Sequence, residues 1–286
     1  YKFLDGYLTI GKGDPEGHLR LNSPVTAVLS DTSKVVLSGN LDRFDFLDWT
    51  KFLKPYWEKN GASSLFIEEL VIEHVQIDEF LFEDLTVNGQ SLRSEYLITF
   101  ESDRLAGSIK LGQSDQLSLD IDRLLLPVYN DYGVVGEPSK KNWLLGDPIS
   151  LELGAMLPRM SLSIESIFLG TEDYGSWSFD LEPDVAGMEL TSVDGSIRGL
   201  SFKEALVKWD YRNNRTSFAN ELSIIDLGKA LPLWGFAPGV ETSSLAINLD
   251  LSWPGSPLNV ELFSTEGEVA AQAGAGRFLD EETSYS

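Results

Sequence analysis

Cysteine is missing from the 286 residues, and histidine occurs only at His18 and His74. The first absence excludes disulfides and thiol chemistry but leaves the redox compartment open. The second leaves little from which to build a zinc site or a nucleophile with its base. Neither His-x-His nor His-Glu-x-x-His occurs, so no metal is expected. His74, in LVIEHVQID, sits inside a strand pattern and reads as packed or solvent-facing. Cations are scarce: 22 Lys plus Arg face 45 Asp plus Glu, a net charge of −23. Binding to nucleic acid or to an anionic membrane surface needs clustered positive charge, so both are disfavoured. No stretch approaches the ~18 apolar residues that cross a bilayer. No basic-then-apolar leader opens the chain. The opening YKFLDGYLTI reads as mid-strand, so the chain is expected to be a piece of something longer.

Helical periodicity is scarce as well, which disfavours parallel α/β architecture. Period-two alternation is present nearly everywhere. In LAINLDLSWP, Leu245, Ile247, Leu249, Leu251 and Trp253 share one side; Ala246, Asn248, Asp250 and Ser252 share the other. EYLITF aligns Tyr96, Ile98 and Phe100, and LSLDID aligns Leu117, Leu119 and Ile121. SWSFDLE aligns Trp177, Phe179 and Leu181, LVKWDY aligns Val207, Trp209 and Tyr211, and NVELF offers Val260 and Leu262. Turn residues at short intervals predict hairpins and meanders. Two short helices are expected, over 45–57 and 226–236, each limited by a proline.

The two helical stretches align with each other, and residues 88–103 lie over 169–184 without a gap. Such self-similarity predicts a repeated β unit rather than one closed barrel. Three parts are expected: 1–61, a β repeat ending in a helix; 62–146, a repeat followed by a long loop; and 147–286, a repeat holding the second helix and WPGSP.

No catalytic residues stand out. Among 45 acids, pairs arise by chance and say little about glycoside hydrolysis. GKGD and AGAGR lack the Lys-Ser/Thr of a phosphate loop, and DRFDFLDW lacks the turn glycine of a calcium loop. No cofactor is expected.

From Gly175 to Pro257 the chain resembles the C-terminal region of YhdP-type proteins of the bacterial AsmA-like superfamily. The resemblance rests on YGSWSFDLEP, DGSIRGL, NNRTSFANELS, DLGKALPLWGFAPGV and DLSWPGSP, followed by GEVAAQAGAGRFLDEE. It implies a fragment of a longer, inner-membrane-anchored periplasmic protein. It also implies an all-β fold: a long, curved antiparallel sheet of repeated β units forming an open apolar groove, with short helices between repeats. The implied function is to shield phospholipid acyl chains between the inner and outer membranes, without catalysis. The alternating runs then supply groove candidates: Ile98, Phe100, Leu119, Ile121, Trp177, Phe179, Leu181, Trp209, Leu245, Ile247, Leu249, Leu251, Val260 and Leu262. Alternation alone favours a closed sandwich, as in an envelope scaffold or binding protein filled by its own side chains; the repeats and the resemblance favour the groove.

Overall fold

A computed structural model describes residues 4–9, 16–21, 35–47, 65–78, 80–92, 95–112, 117–126, 147, 149–224, 227–233, 235, 237, 240–242, 245–260 and 263–278. The architecture is all-β, as the alternation predicts, and its sheet is open rather than closed into a barrel. The chain forms two compact units, Tyr1–Leu124 and Leu125–Ser286.

The first unit is one ladder of strands: β1 (Leu4–Thr9), β2 (Glu16–Leu21), β3 (Val35–Asp45), β4 (Leu65–Ile77), β5 (Phe80–Leu92), β6 (Glu95–Glu101), β7 (Leu105–Gly112) and β8 (Leu117–Leu126). From β4 onward every pairing is antiparallel. β2–β3 and β3–β4 are parallel, which corrects the expectation of a purely antiparallel sheet. Parallel neighbours need connections of about a dozen residues or more, and 22–34 and 46–64 supply them. The core gathers Leu21, Leu41, Leu70, Ile72, Val75, Phe82, Leu85 and Leu105.

In the second unit, β9 (Met160–Ile164) pairs with β12 (Ser176–Asp184). β12 leads through β13 (Gly187–Ile197), β14 (Leu200–Asp210) and β15 (Arg215–Ile224) to β17 (Leu245–Pro254) and β18 (Glu266–Ala273). β10 (Ile167–Leu169) and β11 (Glu172–Asp173) form a small hairpin. β16 (Val240–Thr242) pairs with β19 (Gly276–Phe278). Between β13 and β14 the two-residue turn Arg198–Gly199 has positive φ at both positions, 44° and 80°, as the tight twist-matched hairpin requires. Val193, Phe202, Ala205 and Val207 form the core.

Helix α1 (Leu151–Met156) was not foreseen, because Ile149, Leu151 and Leu153 alternate like a strand. Ser150 caps it, its hydroxyl accepting the Leu153 N–H at 3.1 Å. Helix α2 (Leu227–Leu233) falls where 226–236 predicts one, with Pro232 in its last turn. Of the helix expected over 45–57, Phe46 and Leu47 are helical and the rest lies outside the described residues.

Candidate functional site

Residues directly opposite one another on paired strands point to the same face. The register therefore joins separate alternating runs into rows that cross the sheet. In the second unit one row runs Ile164, Trp177, Gly195, Phe202, Leu222, Ile247, Ala271. A second runs Met160, Leu181, Leu190, Val207, Phe218, Leu251, Gly267. In the first unit, Leu37, Ile67, Gly89, Ile98, Ile109 and Leu119 share a row, and Val87, Phe100, Gly107 and Ile121 share another. Each unit thus presents a broad apolar face built from many strands.

That face is not uniformly covered. On β13 and β14 it is sealed: Val193, Ala205 and Trp209 are 1–2% exposed. On β17 Leu245, Ile247, Leu249 and Leu251 are half-buried, and on β18 Val269 is 63% exposed. Beside the sealed part lies an open depression of about 510 Å³. Its lining centres on the first row, Ile164, Trp177, Gly195 and Phe202, with the sequence neighbours of those residues around it. The Trp177 and Phe202 rings touch, their centroids 4.7 Å apart and tilted by 58°.

Two structures close over the strand ends. At one end Gly154 of α1 lies on Trp209, and the Trp209 Nε1–H donates to Asn214 Oδ1 at 3.1 Å. The WPGSP segment forms a buried corner at this end. Trp253 Nε1–H donates to the Ser256 carbonyl at 3.0 Å, and the Thr216 hydroxyl donates to the Gly255 carbonyl at 2.7 Å. Asp147 Oδ2 accepts the Ser256 N–H at 2.6 Å. At the other end Ala230 of α2 rests on Gly199, and Arg198 Nη1 donates to the Leu233 carbonyl at 3.0 Å. The Arg198 guanidinium also stacks 4.5 Å above the Tyr174 ring.

Among the sequence-derived candidates, the register brings together Ile98 with Leu119, and Phe100 with Ile121, in the first unit. It brings Trp177 together with Ile247, and Leu181 with Leu251, in the second. Leu245 and Leu249 share their face through Ile224 and Asn220, and Phe179 pairs with Leu162. Leu181 and Trp209 are 3% and 1% exposed, so they sit beneath the surface rather than on it. Val260 stands outside the strands and Leu262 outside the described residues. Gly195, Phe202, Leu222 and Phe218, which were not among the groove candidates, complete the rows.

Among the described residues no cluster of three His, Asp or Glu is placed to hold a metal ion. Tyr96, on the first unit's apolar face, has its hydroxyl pushed up to about 12 by burial, and the same cause raises Tyr211. Asp210 is held below the usual carboxylate range by the Arg212 N–H, and it serves the turn after β14.

A family model described as YhdP protein matches residues 4–285. The chain belongs to the YhdP family. The match extends well beyond Gly175–Pro257, where the resemblance was legible by eye. No curated protein and no solved structure matches the chain. Among the described residues, no helix is long and apolar enough to cross a membrane.

Proposed function

We propose that this chain is a segment of a lipid conduit in the periplasm of the bacterial envelope. Its apolar face shields phospholipid acyl chains on their way between the inner and outer membranes. The full-length protein is anchored in the inner membrane, and the work requires no catalysis.

One observation carries the reading: apolar rows cross up to seven strands and stay half-exposed over much of their length. An acyl chain of about sixteen carbons costs on the order of 12 kcal/mol to hold in water, at ~0.8 per methylene. A long apolar floor removes most of that cost. It needs no tight site, because a tight site would stall the flow. Membership of the YhdP family supports the same reading.

Native mass spectrometry of the purified chain, with photo-crosslinkers at Phe179 and Ile247, tests it. Phospholipid retained in at least stoichiometric amount, with adducts at both positions, is expected. A folded sample free of lipid and of adducts would favour a self-filled scaffold, a reading to which the sealed core at Val193, Phe202 and Ala205 lends weight.

A further inference from the structure

Glycine weakens a strand, so one in mid-strand marks a close approach or a special backbone. Gly89, Gly107 and Gly195 all stand on strands at apolar-face positions, and none has a positive φ. What they provide is room. A Cβ placed on Gly195 would lie 2.6 Å from Phe202 Cζ, and 2.9 Å from the Ser176 carbonyl. On Gly89 it would lie 2.6 Å from the Tyr96 hydroxyl. On Gly107 it would meet the Asp120 carbonyl at 2.3 Å and Ile121 Cα at 2.9 Å, with Phe100 Cζ at 3.0 Å. At each of the three glycines an aromatic side chain from the neighbouring strand lies down into the notch instead of standing out of the sheet.

The notch at Gly195 is the one that opens onto the depression. Phe202 faces Gly195 across β13–β14, is only 5% exposed, and has the half-buried Trp177 ring leaning on it. A side chain at position 195 would lift Phe202, and Phe202 would lift Trp177. Two positions along β12 from Trp177, about 7 Å away, Phe179 belongs to the adjacent row and would stay where it is.

We propose that Gly195 sets the depth of the floor at Trp177, and so decides whether a lipid with two acyl chains fits there. Resting on the conduit reading, the inference assigns one lane to the Trp177 row and a second to the Phe179 row. A one-chain amphiphile needs one lane; a two-chain lipid needs both.

The test compares a diacyl phospholipid with its one-chain lysophospholipid, each presented alone to the 286-residue chain, with retained lipid read by native mass spectrometry. The unaltered chain retains both. Gly195→Val loses roughly tenfold in diacyl retention, the scale of one good contact, while lysophospholipid retention stays within about twofold. The double variant Gly195→Val/Phe202→Leu, which removes the ring that valine displaces, regains the diacyl lipid. Should Gly195→Val alone fail to fold, the double variant decides. Unchanged diacyl retention in Gly195→Val overturns the inference, and so does a double variant that fails either to fold or to regain the diacyl lipid. An unaltered chain that retains neither lipid overturns the conduit reading itself, which is a different result.

Discussion

Asp194 on β13 accepts the backbone N–H of Glu204 on β14 through Oδ1, at 2.7 Å. Glu204 has φ of 51° and sits where the β14–β15 register slips between Phe202 and Leu206. The extra residue of a bulge leaves backbone groups outside the ladder. Asp194 takes the stranded donor, and Asn220 on β15 gives its Nδ2–H to the Lys203 carbonyl at 2.9 Å. One strand on each side thus completes the bulge. The first unit repeats the device: Glu69, with φ of 45°, gives its N–H to Asn88 Oδ1 at 2.9 Å. Asp194→Ala should therefore cost about 1 kcal/mol, the net worth of an accessible hydrogen bond, while Asp194→Asn should cost less because an oxygen acceptor remains. Urea titrations of the two variants separate these outcomes.

Tyr96 is 4% exposed, and its hydroxyl has no hydrogen-bond partner among the described residues. Leaving a buried hydroxyl unpaired costs about 1–3 kcal/mol, so Tyr96→Phe should be neutral or stabilising. Its pH dependence is distinctive. The folded hydroxyl is raised to about 12, against an ordinary value of 10 in the unfolded chain. The folded state therefore keeps the proton longer. Stability from this group is complete below pH ~10 and falls as the pH climbs toward 12. Tyr96→Phe should flatten that fall in denaturant midpoints measured between pH 9 and about 12.

Ile247 and Asp250 lie on one strand with side chains on opposite faces. Ile247→Asp puts a charge on the apolar row and should abolish lipid capture by a photo-crosslinker at Phe179, as should Leu249→Asp. Asp250→Asn, on the polar face, should leave capture unchanged. Equal loss in all three would show that stability rather than the face is being read.

Thr216 is fully buried, and its hydroxyl is the donor to the Gly255 carbonyl at the WPGSP corner. Thr216→Val keeps the shape and strands that carbonyl. A cost of about 1–3 kcal/mol is expected, seen as a lower Tm.

Much of the fold was legible because a half-exposed sheet writes itself as alternation. The run from Leu245 to Ser252 is paired without a slip to both β15 and β18, so its residues alternate between the two faces as the sequence pattern does. Legibility failed where a bulge adds a residue, because one extra residue reverses the phase of everything after it. Phe202 and Ala205 are three apart in SFKEALVKWD yet share the core, because Glu204 intervenes as a bulge. Phe202, which fills the Gly195 notch, therefore falls out of phase with the run Val207, Trp209 and Tyr211. The same slip at Ser192, with φ of 52°, hid the relation between Leu190 and Val193. Parallel pairing at β2–β3–β4 was invisible for another reason: period two is the same whichever way the neighbour runs. The WPGSP corner stood out as a family mark before its work as a buried hydrogen-bonded clasp could be known.

That clasp sets a timetable for biosynthesis. Asp147 holds the Ser256 amide across 109 residues of sequence. At ~5–20 residues per second, the ribosome delivers the second partner roughly 5–20 s after the first. Until then the nascent polypeptide has hairpins but no fastened end, and its oily strands stay open to chaperones and to one another.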